Sequence, residues 1–135
     1  MLRILAIVVL AAFALINIGR GAIHAFAPDG GAHSIAGLDL TTNAPTILSL
    51  FATIGLHQIV LGLFEGWVLV WRRDLLRVAL ALQTVETIFG VFNFYFYRTL
   101  PVQVPGARFN AVLLAVLAIT LIVTWRATAP RSSPP

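Results

Sequence analysis

Four long apolar segments account for most of this 135-residue chain and restrict it to one class of structure. They run over about residues 4–24, 46–71, 75–97 and 109–125. Each approaches or exceeds the roughly 20 helical residues that cross about 30 Å of hydrocarbon. The sequence therefore predicts an all-α fold, a single four-helix transmembrane bundle over residues 1–128. The last residues, 129–135, are predicted to form a disordered cytoplasmic tail.

The composition supports a membrane protein and excludes several kinds of chemistry. Hydrophobic residues make up 59% of the chain and charged residues only 10%, against about 25% charged in an average soluble domain. The chain has no cysteine, which excludes disulfide exchange, thiolate catalysis and iron–sulfur clusters. All nine basic residues are arginine, so no lysine can form a Schiff base with retinal or pyridoxal phosphate. The arginines lie near the segment ends, where they set orientation and do not indicate a nucleic-acid partner.

The arginines fall unevenly between the two predicted sides of the membrane. One side holds the amino terminus, the second loop and the tail, with Arg3, Arg72, Arg73, Arg77, Arg126 and Arg131 against one acid, Asp74. The other side holds Asp29, Asp39, Arg98 and Arg108. Because short cytoplasmic loops carry an excess of basic residues, both termini are predicted to be cytoplasmic.

Ionisable side chains lie inside the predicted spans at Arg20, His57, Glu65 and Glu86. Such groups are costly in hydrocarbon and normally face the interior of a bundle, where they find a partner or water. Further polar residues recur with them at helical spacing, so that three helices each carry one polar stripe. The candidates for a polar core or a ligand-binding site are Asn17, Arg20, His24, His57, Gln58, Glu65, Gln83, Glu86 and Asn93.

The predicted ion pair is Arg20 with Glu86, because arginine can reach about two turns along the bundle axis. Glu65 has no cation at its depth, so it is expected to be protonated, to bond Gln83, or to reach water near Trp67. Two interpretations of the polar set stay open. It is either a group of interhelical hydrogen bonds that hold the bundle together, or a cavity that binds a ligand or passes protons.

Small residues mark helix edges that can approach one another closely. Gly62 and Gly66 form a GxxxG pattern, and Gly55 lies one heptad before it. The fourth segment has a similar edge at Ala111, Ala115 and Ala118. Such edges predict either packing within the bundle or contact with a membrane-protein partner or a second copy.

The first loop, within residues 25–45, is the longest stretch outside the spans. His24, Asp29, His33 and Asp39 are all capable metal ligands, but they lack a recognised ligand spacing, and no metal site is predicted. Pro28-Asp29-Gly30-Gly31 is typical of a turn. The apolar side chains of the loop, Ile35, Leu38 and Leu40, predict a cap over the outer mouth of the bundle.

No catalytic motif is present in the sequence. His24 and His57 differ in depth by roughly 15 Å at 1.5 Å per residue, so they cannot both ligate one haem. Neither Glu65 nor Glu86 has the histidine three residues later that di-iron bundles use. There is no HExxH, nucleophile elbow or glycine-rich nucleotide loop. No catalytic residue is therefore predicted, and the question of an enzymatic role stays open.

Three short patterns carry a resemblance to a known family. They are Asn17-x-x-Arg20-Gly21-x-x-His24-x-Phe26-x-Pro28-Asp29-Gly30, Leu61-Gly62-Leu63-x-Glu65, and Pro101-Val-x-Val-Pro105-Gly106. Together with the four-span layout, they resemble small bacterial four-helix membrane proteins of the DoxX-like and DUF4345-like group. The resemblance implies a location in the bacterial cytoplasmic membrane. Relatives in this group are linked to quinone-coupled redox complexes or to membrane stress assemblies. The resemblance implies that this chain would serve in such a complex as a partner or binder.

The first functional prediction is a non-catalytic accessory subunit of a larger membrane complex, because the chain is small and lacks catalytic groups. The alternative is a binder or carrier of a hydrophobic small molecule, a quinone or a lipid, in a polar-lined cavity. A third is a proton-conducting or membrane-enzyme role through Glu86 and Glu65. No bound cofactor is predicted, and the lipid bilayer is the one partner common to all three.

Changing Arg72, Arg73 and Arg77 together to glutamate is expected to disturb the topology, because these arginines hold the second loop in the cytoplasm. Changing Arg131 to glutamate should leave the topology intact. A single cysteine introduced in the tail, labelled from either side of the membrane, measures the orientation. Unchanged labelling of the triple variant would show that these three arginines do not determine the orientation.

Overall fold

The computed structural model describes residues 2–99 and 104–126, and these form four long helices without a strand. The helices are α1 (Leu2–Phe26), α2 (Ala44–Trp71), α3 (Leu76–Phe92) and α4 (Pro105–Arg126). A 3₁₀ turn at Arg73–Leu75 precedes α3, and a π-helical turn at Asn93–Tyr97 extends it. Four helical stretches are long and apolar enough to cross a membrane. The predicted all-α, four-span fold is therefore confirmed, whereas the predicted tail, 129–135, lies outside the described residues.

Several helix ends differ from the sequence predictions. The fourth helix begins at Pro105, whereas the fourth span was predicted to begin at about residue 109. Proline suits the first turn of a helix, because the backbone N–H that it lacks has no partner there. Asp74 does not cap α3, although it lies just before that helix. It forms an ion pair with Arg72 at 2.7 Å, and Leu75 occupies the cap position without a side-chain hydrogen bond.

Close contact between α1 and α2 depends on glycines spaced seven residues apart. Gly21 and Gly55 face each other so closely that a Cβ on either would lie 2.6 Å from the carbonyl oxygen of the other. A Cβ on Gly62 would lie 2.8 Å from the Ala14 carbonyl oxygen. Gly66 has open space around its Cα. The α1–α2 contact therefore uses Gly55 and Gly62, whereas Gly66, the second glycine of the GxxxG pattern, takes no part in it.

The half of the bundle that holds the amino terminus is an apolar core around α1. Its buried members are Ala6, Leu10, Phe13, Val68, Leu76, Ala79, Leu80 and Leu117, which come from all four helices. α1 packs extensively on α2 and also contacts α3 and α4, while α3 packs on α4. α2 and α3 contact each other only weakly, although a short turn joins them. This unequal packing leaves a cleft between α2 and α3.

The first loop folds into compact turns against the carboxyl end of α1 and the amino end of α2. The carboxylate of Asp29 accepts hydrogen bonds from the backbone N–H groups of Ser34 and Gly31, which lower the pKa of Asp29 to about 2. His24 Nδ1 lies 2.7 Å from the Gly30 carbonyl oxygen, and the His24 ring contacts Phe51 edge-on. The loop is thereby fixed to the α1–α2 pair.

The apolar side chains of the loop do not all face inward as a cap requires. Gly30, Gly31 and Ala32 are buried, whereas Ile35 is half-exposed and Leu38 and Leu40 are intermediate. Gly30 and Gly31 both have positive φ, a conformation that favours glycine because it has no Cβ. The predicted cap over the bundle mouth is therefore replaced by a glycine turn packed on two helix ends.

Substituting Gly55 with alanine should lower the stability of the protein by about 1–3 kcal/mol, because the new Cβ meets the backbone of α1. Gly66→Ala on the same helix is the matched control, since its Cβ would enter open space. Unfolding in a detergent series compares the two variants. Equal stability of both would contradict the close α1–α2 contact.

Candidate functional site

A buried asparagine on α1 joins two neighbouring helices by hydrogen bonds. Asn17 Nδ2 donates to Glu65 Oε2 on α2 at 3.0 Å and to Gln83 Oε1 on α3 at 2.8 Å. All three residues are buried. Asn17 was not among the partners expected for Glu65, yet its amide donates to the Glu65 carboxylate. Gln83, which was expected to bond Glu65, is the next residue in this chain of hydrogen bonds.

The hydrogen-bonded chain continues from Gln83 to a second carboxylate. Gln83 Nε2 donates to Glu86 Oε2 and to Thr87 Oγ1, both at 3.0 Å. Residues three and four positions apart share a helix face, which explains why Gln83 reaches both side chains. The network Glu65–Asn17–Gln83–Glu86 thus connects two intramembrane carboxylates through two amides.

Two buried oxygen atoms near this network accept no hydrogen bond within the described part of the chain. They are Glu65 Oε1 and Gln58 Oε1. A buried acceptor without a donor is destabilising, and hydrocarbon offers no substitute for one. Around Gln58 and Glu65, the described part of the bundle interior therefore has more hydrogen-bond acceptors than donors.

Beside the network, the weak packing between α2 and α3 leaves a cleft of about 250 Å³. It is lined by Ile54, His57, Gln58, Leu61 and Glu86. His57 and Glu86 each lie near the middle of their candidate span, and both are exposed on the outer surface. An exposed surface at that depth faces the bilayer, so the cleft opens sideways toward lipid.

The hydrogen bonding of His57 fixes which of its ring nitrogens faces outward. His57 Nδ1 lies 2.8 Å from the Thr53 carbonyl oxygen, and a carbonyl can only accept. Nδ1 therefore carries the proton, and in neutral imidazole Nε2 is left as an acceptor. Glu86 contacts Gln83 through Oε2. The other carboxylate oxygen, Oε1, accepts no hydrogen bond from the described residues.

Arg20 does not pair with Glu86, so the predicted ion pair was wrong. Arg20 Nη1 donates to Asn110 Oδ1 on α4 at 2.8 Å, and among the described residues no carboxylate lies within 4 Å of Arg20. A Cβ on Gly106 would lie 3.7 Å from Arg20 Nη2, so this glycine lets the guanidinium lie against α4. The Arg20 side chain extends across the bundle to α4, whereas it was expected to extend along the bundle axis toward Glu86.

Sequence reasoning missed Asn110 and Thr87. Asn110 was available as the one amide of α4, but it fell at the predicted boundary between loop and helix. Thr87 looked like an ordinary helix residue next to Glu86. A search for each amide and hydroxyl within one turn of an ionisable residue would have found both.

Besides Arg20, two predicted site residues lie away from the network and the cleft. His24 anchors the first loop through the Gly30 carbonyl. Asn93 begins the π-helical turn and is exposed, and its side chain makes no hydrogen bond within the described part of the chain. The extra residue of a π turn rotates the later residues of the helix relative to a regular α-helix. It therefore breaks the single stripe that was predicted from Gln83 to Tyr97.

The described residues contain no group of three histidine or acidic side chains that could hold a metal ion. Comparison of the chain with protein-family models, with curated proteins and with solved structures finds no match. The resemblance to the DoxX-like group therefore stays a prediction. The class that the fold and the site define is a multi-pass membrane protein with a polar, laterally open cleft.

Replacing Asn17 with alanine should destabilise the protein by about 1–3 kcal/mol, because Glu65 Oε2 and Gln83 Oε1 both lose their donor. Asn93→Ala is the control, since it removes the same amide from an exposed position. Thermal unfolding in nanodiscs provides the measurement. If both variants unfold like the parent protein, the amide network does not hold the helices together.

Proposed function

We propose that the protein binds a hydrophobic small molecule with a compact polar head, which enters the cleft between α2 and α3. The observation that supports this proposal is the cleft itself, in which Glu86, His57 and Gln58 lie among the apolar side chains of Ile54 and Leu61. Ligand sites typically combine an apolar lining with a few polar groups that orient the ligand. Ionisable residues at the middle of a membrane span are functional candidates by default.

The depth of the polar groups favours one kind of ligand. Glu86 and His57 are each separated from the ends of their spans by at least eleven residues, or about 16 Å at 1.5 Å per residue. A phospholipid keeps its charged head at the interface, so its head does not reach this depth. A quinone-like molecule, whose small head can reside in hydrocarbon, fits the position of the cleft.

The size of the cleft supports a site for the head alone. Its volume of about 250 Å³ is below the roughly 300–1,000 Å³ of pockets that enclose a whole ligand. An apolar tail can remain among the lipid chains, because the cleft is open on that side. The binding free energy then depends on the contacts of the head.

The residues of the site have separate roles in this proposal. Glu86 and His57 contact the polar head, and Ile54 and Leu61 cover its apolar edges. Gln83 orients the Glu86 carboxylate through a 3.0 Å hydrogen bond. The buried residues behind Gln83 act through it and touch no ligand. They are Asn17, which donates to Gln83 Oε1, and Glu65.

A proton-conducting role is less well supported by the network. The path between the two carboxylates passes through the amides of Asn17 and Gln83. An amide donates from nitrogen and accepts on oxygen, and neither atom readily exchanges the roles that a proton relay requires. The network therefore couples the orientations of Glu65 and Glu86 without forming a relay between them.

The accessory-subunit prediction stays a prediction, and the small-residue edge on α4 is the surface that it would use. Ala111 and Ala115 are exposed there. Lipid contact alone is sufficient to explain exposed apolar residues on a helix that spans a membrane. The proposal of a binder therefore rests on the cleft, a feature that a purely structural subunit does not need.

Replacing Leu61 with tryptophan should fill the cleft and abolish binding of the small molecule. Leu63→Trp is the matched control, because Leu63 is 59% exposed and does not line the cleft. The protein is purified in nanodiscs with its native lipids, and mass spectrometry identifies every molecule that accompanies it. We expect a stoichiometric small molecule in the parent and in Leu63→Trp, and none in Leu61→Trp.

Other outcomes contradict the proposal. A stoichiometric protein partner without a small molecule would favour the accessory subunit. Equal retention of the small molecule by both tryptophan variants would place the binding site outside the cleft. Circular dichroism of each variant verifies that the helices are intact.

A further inference from the structure

The polar atoms of the cleft are unevenly divided between donors and acceptors. Glu86 Oε1 and His57 Nε2 have no hydrogen-bond partner among the described residues. Gln58 Oε1 is buried and also lacks one. Glu86 in its carboxylate form can only accept, and so can the free nitrogen of His57 in its neutral form. The Gln58 amide nitrogen is the one donor that the lining side chains add.

This imbalance is maintained by the surrounding contacts. The proton of His57 is committed to the Thr53 carbonyl at 2.8 Å. Both donor positions of Gln83 are committed, one to Glu86 Oε2 and one to Thr87 Oγ1. The hydroxyl of Thr87 lies 2.8 Å from the Gln83 carbonyl oxygen, closer than the 3.4 Å that separates it from Glu86. The side chains of His57, Gln83 and Thr87 therefore have no free donor hydrogen for Glu86 Oε1.

We infer that the cleft selects a head group that donates hydrogen bonds and rejects one that only accepts them. The inference rests on the proposed function and names the chemical class of its ligand. In a bilayer, water is scarce and an unpaired acceptor is not easily satisfied by solvent. A ligand with a hydroxyl group supplies the missing donor, so the gain from each such bond is larger than it would be in water.

A hydroquinone and its quinone differ in this property and in little else. The two hydroxyls of a hydroquinone can donate to Glu86 and His57 and can still accept from the Gln58 amide. The two carbonyls of the quinone can accept from Gln58, but they place oxygen lone pairs against the Glu86 carboxylate. The cleft therefore favours the reduced member of such a pair, as a consequence of hydrogen bonding and without electron transfer.

Three probes with the same ring and the same decyl tail test this selectivity. They are an alkyl benzoquinone, its hydroquinone kept reduced under anaerobic conditions, and the dimethyl ether of that hydroquinone, which has lost both donors. Equilibrium dialysis between nanodiscs with the protein and empty nanodiscs separates binding from partition into lipid. We expect the hydroquinone to bind about tenfold or more tightly than either of the other two, since hydrogen bonds to charged groups are the strong ones.

Two variants connect the selectivity to the cleft. Glu86→Gln replaces one carboxylate oxygen with an amide donor, so the preference for hydroquinone should fall at least fivefold while the quinone binds as well as before or better. His57→Phe removes the second acceptor and keeps a ring of similar size, and it should reduce hydroquinone binding alone. Leu63→Trp should behave like the parent protein.

The outcomes distinguish this inference from the proposed function. Equal binding of all three probes, abolished by Leu61→Trp, would overturn donor selectivity and leave the proposed function standing. Tighter binding of the quinone or the dimethyl ether would also overturn it. Absence of binding for every probe would overturn the proposed function, and the inference with it.

Discussion

The close approach of α1 and α2 is the contact on which the rest of the bundle depends. Gly21 and Gly55 bring the two backbones together near the first loop, and Gly62 repeats the contact one heptad further along α2. A Cβ on Gly62 would lie 3.1 Å from the Cβ of Asn17, so this glycine admits Asn17 to the α2 surface. Without that approach, Asn17 could not donate to Glu65. Dispersion contacts between small residues thus determine where the polar groups meet.

The same polar groups serve both interpretations that the sequence left open. Asn17 and Gln83 hold α1 and α3 together as interhelical hydrogen bonds do in many membrane bundles. At its other end Gln83 orients Glu86, which lines the cleft. Under the proposed function, structural bonding and ligand binding are therefore successive parts of one network. A change at its buried end would be transmitted to the cleft through the side chain of Gln83.

The features that the sequence predicted well are those set by hydropathy alone. Four apolar runs of sufficient length form four helices, because a membrane requires every backbone polar group to be bonded within the helix. Partners of individual polar side chains were predicted less well. Arg20 bonds Asn110 and not Glu86, since an arginine can reach in several directions and spacing along one helix does not show which neighbour lies opposite.

Local backbone irregularities account for the other differences. The π turn at Asn93–Tyr97 inserts one residue into a helix that spacing rules treat as regular, so the residues after Asn93 rotate away from the face of Glu86. The sequence did not predict that α4 begins at Pro105, because proline is common both in loops and in the first turn of a helix. Glu65, Gln83 and Glu86 were recognised as candidates by their cost in hydrocarbon, although their connection through Asn17 was not.

The sideways opening of the cleft changes what affinity means for this protein. A ligand that reaches Glu86 and His57 from lipid is drawn from the pool dissolved in the bilayer, where a hydrophobic compound is concentrated far above its level in water. A modest intrinsic affinity, expressed as a mole fraction of lipid, is then enough to keep the cleft occupied. Occupancy would follow the composition of the membrane and the ratio of protein to lipid, while the free concentration in the aqueous phase would have little influence.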